Sequence, residues 1–281
     1  MKLETLRGSG ITRRGFLSGS GLALTNAVIG AAPQAGAQGA AGAAKTDVVE
    51  GIASLVWDLV AANRILADQQ VLDGYGHVSV RNDRDPNRYL LARSMAPEIT
   101  TADDIMEFDL DSNPVDGRGR PMHSERFIHG EIYKLRADVK SVVHFHAPSV
   151  VLMSVSGEAF RPIYHMAGFL GDGVPLFDIR KATGQMTNML VLNGALGRAL
   201  AQTLGNKPSA LMRGHGAAVV GESLPQVVGR SVYLKINADM QVQALGKNIE
   251  FLDPEEARLA GVATDSFPKD WEMWKEKAMK R

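Results

Sequence analysis

The chain has no cysteine among its 281 residues, which excludes disulfides, thiolate nucleophiles and cysteine-ligated zinc or iron–sulfur centres together. Any metal must rest on histidine and carboxylate. Net charge is missing too. Thirty-one Lys and Arg balance 31 Asp and Glu, and the basic residues are scattered rather than gathered into a stripe, which argues against a nucleic-acid partner. There is no long hydrophobic run: the apolar stretch near the N-terminus is too short and too rich in glycine for a transmembrane helix, so no membrane anchor is expected. No Gly-rich phosphate loop follows a strand, and no internal repeat is present. What remains is a chain 45% hydrophobic, long enough for one full core and not so long that it needs two domains.

The first residues differ from the rest. Thr12-Arg13-Arg14-Gly15-Phe16-Leu17 is followed by a mildly apolar Gly/Ala segment to Ala32 and by Ala35-Gly36-Ala37. A paired arginine, a weak apolar run and a small-x-small site resemble a twin-arginine export signal, a receptor-read address removed after transport. Residues 1–37 are therefore set aside as a leader, 38–47 as a linker, and 48–281 as the folded domain. The expected location is the periplasm, or the cytoplasm should the leader not function. That route carries folded proteins, which suits an enzyme that takes up its metal beforehand.

Val49, Ile52, Leu55, Val56, Leu59 and Val60 recur at helical spacing, which predicts a helix over 48–70. His77 to Arg81 and Tyr89 to Ala92 read as a pair of strands around an Asp/Pro/Asn turn, and Ile105 to Leu110 as another strand. Ser124 is positioned to cap a helix from Glu125 to Leu135. Val139 to Phe145 is an apolar strand, 188–204 a helix ending at Gly205, and Ala210 to Arg213 and Ala217 to Val220 two strands about a Gly214-His215-Gly216 turn. Ser223 to Leu245 is a long helix with Pro225 in its first turn. Hairpin signals without a regular βαβ alternation predict a largely antiparallel or mixed sheet covered by helices on both faces.

Of seven histidines, two stand in Val142-Val143-His144-Phe145-His146. In a strand, positions two apart share a face, so these imidazoles form a pair of nitrogen ligands, where a lone core histidine would be unremarkable. A metal needs a third ligand and a carboxylate for proton traffic. His215, between two glycines, is the candidate third ligand, and Glu125, on the helix that leads back into the histidine strand, the candidate carboxylate. His129 and His165 read as structural.

These residues carry a resemblance. Ser124-Glu125, His129 and Tyr133, then Arg136-Ala137-Asp138-Val139, Val142-Val143-His144 and His146, and later Arg213-Gly214-His215-Gly216 resemble the signature of the class II aldolase/adducin family. The intervals agree: 19 residues from Glu125 to His144, 2 to His146 and 69 to His215. The resemblance covers about Val48 to Leu245. It implies a three-layer α/β/α fold with a central, mainly antiparallel sheet, and a homotetramer with sites between subunits. It also implies one divalent metal ion per subunit (Zn, Mn, Co or Fe) on His144, His146 and His215, with Glu125 as acid/base. In that family an aromatic residue near the C-terminus often completes a neighbouring site; Phe267, Trp271 and Trp274 are the candidates, unless they are packing residues.

Sugar-phosphate aldolases of the family hold phosphate with Gly-Asn-[Ile/Val]-Ser, a Thr-Pro-Ser-Gly-like turn and a Ser-Ser pair. Here the matching stretches are Gly76-His77-Val78-Ser79, Ala92-Arg93-Ser94-Met95-Ala96-Pro97-Glu98 and Met122-His123-Ser124. An arginine and two imidazoles replace hydroxyl donors, so Arg93, with Arg81, His77 and His123, is expected to bind a carboxylated small molecule. The pattern is similar to the branch that decarboxylates hydroxylated aromatic or pyridine acids. The function implied is a metal-dependent carbon–carbon lyase, aldolase or decarboxylase in type, working through a metal-stabilised enediolate or phenolate. The alternatives are an iron oxygenase of aryl 2-oxo acids on the same ligands and a non-catalytic module like the adducin head, which lacks the metal histidines.

Overall fold

The structure, a computed structural model, describes residues 39–280, with side chains from residue 53 onward. The expected export signal lies outside them. The first half contains α1 (Gly39–Asp68), β1 (His77–Arg81), β2 (Arg88–Ala92), β3 (Ile105–Asp109), α2 (Phe127–Leu135), β4 (Ser141–Phe145) and α3 (Pro148–Met153). The second contains β5 (Leu176–Phe177), α4 (Ile179–Thr183), α5 (Gly194–Leu204), β6 (Ser209–Met212), β7 (Gly216–Gly221), α6 (Leu224–Gln243), α7 (Pro254–Thr264) and α8 (Pro268–Met279). Residues 39–47, set aside as a linker, have helical backbone as the opening of α1; their run of alanines favours it.

The strands form one sheet in the order β3-β2-β1-β4-β7-β6-β5. Every neighbouring pair is antiparallel except β5 with β6. Helices cover both faces, so the three-layer α/β/α architecture with a mainly antiparallel sheet is what forms. On one face, α1, α3, α6 and α8 pack against Val78, Val80, Val143, Phe145, Ala217 and Val219. On the other, α2 and α5 pack against Leu91, Phe108, Val142, Ala218 and Val220. Each fully buried aliphatic or aromatic side chain contributes roughly 1.5–3 kcal/mol.

Three local expectations change. The helix read over 188–204 begins only at Gly194, where the Asn193 side chain accepts from the Leu196 N–H; a cap ahead of the periodic run decides the start. Ser124 caps nothing, because α2 begins at Phe127 and Ser124 sits in the preceding turn. Phe267 and Trp274 are buried in their own chain, Phe267 stacking on Tyr233 at 5.2 Å, and Trp271 packs beside the same core. Phe267 and Trp274 thus serve as packing residues at α6 and α8, while Trp271 is only partly buried.

Candidate metal centre

His144 is the fourth residue of β4, with Phe145 turned to the opposite core, and His146 lies just past the strand end. Their rings meet edge to face, centroids 4.7 Å apart. His215 arrives from the β6–β7 turn, where Gly214 has φ +64° and a Cβ at Gly216 would collide with the Phe145 carbonyl oxygen. Only glycines let this turn come so near β4. The His215 ring lies 5.0 Å from that of His144 and 5.1 Å from that of His146. Glu125, in the turn before α2, closes the group: its Oε2 is 3.5 Å from His144 Nε2 and 3.4 Å from His215 Nε2. One ligand atom from each of the four lies within 4.8 Å of the others.

The outer nitrogens settle the tautomers. His144 Nδ1 is 3.0 Å from the Ala217 carbonyl, His215 Nδ1 is 3.0 Å from the Met189 carbonyl, and His146 Nδ1 is 3.2 Å from the Asp73 carboxylate. These partners only accept, so each Nδ1 carries the hydrogen and each Nε2 presents a lone pair inward. His144 and His146 then bring bare Nε2 atoms to 2.9 Å of each other, an arrangement that needs a cation or a proton between them. Three imidazoles and a carboxylate are the donor set that divalent transition metals take.

Charge follows the same plan. Burial alone would raise the Glu125 pKa; where His144 and His215 are protonated, with no cation on their Nε2 atoms, their hydrogen bonds and charge outweigh it and hold the group far below the usual carboxylate range. Burial, then the neighbouring His144, lowers the His146 pKa, with Asp73 opposing. His123 is pushed down to about 4 by burial and His144. Burial also drives His77 well below its ordinary value. The neutral imidazole, the form that ligates, is thereby favoured.

A cavity of about 370 Å³ opens beside the four groups, walled by Tyr75, His77, Ser94, His123 and Leu190. His77 and His123 thus reach the place expected of them, their rings 4.5 Å apart. The two arginines do not. Arg81 is buried at the far end of β1, donating to the carbonyls of Tyr133, Arg136, Val139 and Pro86. Arg93 Nε is paired with Asp104 at 2.7 Å, and neither arginine lines the cavity. The Arg81 guanidinium is spent on the protein itself, and that of Arg93 is held through Nε. His129 is buried behind His77, and His165 is exposed on a 3₁₀ turn.

Sequence reasoning missed Asp73 and the segment 185–193. Gly74-Tyr75-Gly76 ends the first helical pattern, but nothing in the sequence marks Asp73 beside it as the source of a carboxylate for His146. Met189 and Val191 act through backbone atoms, the Val191 N–H donating to Glu125 Oε1 at 2.8 Å, so no side-chain signal marked them.

A cavity-side carboxylate and a cluster of inward-facing imidazoles on this sheet together make a site fit for a divalent cation beside a proton carrier. Residues 58–242 match the Class II Aldolase and Adducin N-terminal domain, and the chain belongs to that family. Among relatives, it is 35% identical to the decarboxylase tropJ of Talaromyces stipitatus over 76% of this chain and 90% of that one. It is 30% identical to the 3,4-dihydroxyphthalate decarboxylase of Arthrobacter keyseri over 66% of this chain and 76% of that one. The fold matches the L-fuculose 1-phosphate aldolase of Glaciozyma antarctica PI12 with a TM-score of 0.67, at 20% identity over 80% of this chain and 88% of that one. The chain is accordingly a metal-dependent lyase of the class II aldolase type. Among the described residues, no helix is long and apolar enough to cross a membrane.

Proposed function

We propose that the protein is a decarboxylase of a small hydroxylated aromatic acid, with one divalent cation per subunit on His144, His146 and His215. The observation that carries this reading is the inward convergence of three Nε2 lone pairs and Glu125 Oε2 beside a cavity whose wall offers imidazoles. The relatives named as decarboxylases support the choice of carboxylate over sugar phosphate. The cation supplies Lewis acidity to chelating substrate oxygens. Zinc, manganese, cobalt and ferrous iron all suit this donor set, and metal analysis of the purified protein identifies which is carried.

Glu125 is the proton carrier. Its Oε1 is held by the Val191 N–H, which leaves Oε2 free toward the centre. Ionised at rest, it accepts the substrate hydroxyl proton as the substrate binds. The phenolate pushes electron density into the ring, and Glu125 delivers its proton to the carbon that bears the carboxylate. The C–C bond then breaks, carbon dioxide leaves, its bonding pair restores the aromatic phenolate, and solvent returns a proton to the oxygen. His77 and His123 hold the substrate against the wall.

The test incubates metal-loaded enzyme with 3,4-dihydroxyphthalate and, separately, with aldol substrates. Carbon dioxide release from the first supports the reading; aldehyde release from the second alone replaces it with an aldolase, and oxygen uptake by the iron form replaces it with an oxygenase. We further propose export to the periplasm through the leader and assembly as a homotetramer, checked by cell fractionation and light scattering.

A further inference from the structure

Behind the cavity wall, the sheet and α2 enclose a line of hydrogen-bonding groups that the chemistry above leaves unused. His77 Nδ1 lies 2.6 Å from His129 Nε2, His129 Nδ1 lies 2.6 Å from Ser79 Oγ, and Ser79 Oγ lies 2.7 Å from the Tyr133 hydroxyl. All four residues are buried. Each gap needs one hydrogen, and a neutral imidazole donates from one nitrogen while accepting at the other. The line therefore has two orders that run one way throughout; a third, in which Ser79 accepts from both neighbours, strands its own buried hydrogen.

In the first order every group donates toward the cavity: Tyr133 to Ser79, Ser79 to His129 Nδ1, and His129 Nε2–H to His77 Nδ1. His77 then carries its hydrogen on Nε2. In the second order every bond is reversed, His77 donates backward from Nδ1, and Tyr133 must find another acceptor. The one in reach is the Lys140 carbonyl, at 3.5 Å. That contact is at the outer limit for an O–H donor, whereas 2.7 Å to Ser79 is the ordinary length. A buried hydroxyl hydrogen left without a good acceptor is costly, so the terminal tyrosine selects the first order.

We infer that Tyr133, Ser79 and His129 are positioning residues that fix His77 as an N–H donor facing the cavity, where it binds the substrate carboxylate. Nε2 is the remaining polar atom of a ring that lines the cavity, Nδ1 being committed to His129. With Arg81 bound to backbone carbonyls and Arg93 outside the cavity wall, this donor takes the place the guanidinium groups were expected to fill. The His129 and Tyr133 positions of the sequence signature thus gain a role in recognition. The inference rests on the lyase reading only for the identity of the ligand.

The test uses the zinc-loaded, full-length protein with ¹⁵N-labelled histidine. The ring nitrogens of His77 are expected to show a protonated Nε2 and a bare Nδ1. Ser79→Ala removes the hydroxyl that donates to His129 Nδ1, and His77 is expected to become a mixture of tautomers; Tyr133→Phe should keep the tautomer, because Ser79 Oγ–H then has His129 as its one acceptor and becomes the terminal donor. Affinity for 3,4-dihydroxybenzoate should fall in Ser79→Ala by the inverse of the fraction of His77 still protonated on Nε2, about twofold for an even mixture, and should hold in Tyr133→Phe. Affinity for catechol, which lacks the carboxylate, should stay level, as should zinc content. Ser79→Thr, which keeps the hydroxyl, should restore both the tautomer and the affinity. A wild-type His77 protonated on Nδ1 overturns the inference, as does unchanged tautomer and affinity in Ser79→Ala. Failure of the lyase reading looks different: no carbon dioxide is released while the His77 tautomer stands as described.

Discussion

The two faces of the central sheet are made by the same strands and do opposite work. Along β1 and β4, Val78, Val80, Val143 and Phe145 turn toward α1, α3, α6 and α8 and enter an apolar core. Their alternate neighbours His77, Ser79, Arg81 and His144 turn toward α2, and each of them is hydrogen-bonded. Opposite residues of the two strands reinforce the sorting, since His77 pairs directly across from His144. A slip of one residue would carry imidazoles into the dry core and valines into the site, so register is fixed by both faces at once. Along these two strands the chemistry is thus confined to the α2 side of the pleat, and substitutions can ask how completely.

The largest effect is expected on the polar face. His144→Ala removes an inward Nε2 and should abolish both stoichiometric metal and turnover; full metal occupancy in the variant would falsify the ligand assignment. Glu125→Gln keeps an acceptor for the Val191 N–H and so should fold. Without the proton carrier, kcat should fall about 10²–10⁴-fold, measured as carbon dioxide release at matched metal content. A drop smaller than tenfold would point to another proton source.

On the apolar face the sign of the result reverses. Phe145 is fully buried, and Phe145→Ala should cost about 3–5 kcal/mol of stability, read from denaturant titration. The fraction that stays folded should still bind one metal per chain. If metal is lost from folded protein, the faces are coupled through β4 and the separation fails.

Asp73→Asn tests the outer edge of the polar face. The amide oxygen can still accept from His146 Nδ1 but without a charge, so metal affinity should fall by about tenfold, the low end for an outer-shell partner. Competition against a chelator measures it, and an unchanged affinity removes Asp73 from the site.

The same comparison explains what the sequence revealed. The polar face was legible where side chains do the work: His144 and His146 stood out against an apolar run, and His215 between two glycines. It was illegible where the backbone does the work. Met189 and Val191 hold His215 and Glu125 through a carbonyl and an N–H, which any residue supplies, and their apolar side chains read as the start of a helix. The apolar face was legible as strands and helices, but not β5, whose two residues are too short to show a period. Arginine misled for a different reason. A guanidinium in a polar stretch signals anion binding only when its donors are free, and backbone carbonyls as partners leave no trace in a sequence.

Arg93 offers the smallest and sharpest test of that last point. Its side chain is 35% exposed and its partner Asp104 13% exposed, so the pair is partly solvated and worth about 0–1 kcal/mol. Arg93→Ala should therefore move stability within that range and leave the KM for a carboxylated substrate unchanged, because the wall of the cavity is made by its neighbours Ser94 and His123. The backbone of Arg93 keeps its hydrogen bond to the Asp104 carbonyl, so the strand end should hold without the side chain. A rise in KM of tenfold or more with kcat unchanged would mean that the guanidinium leaves Asp104 to meet the substrate. Recognition would then fall to a side chain that changes partners, and the fixed imidazoles behind it would set position alone.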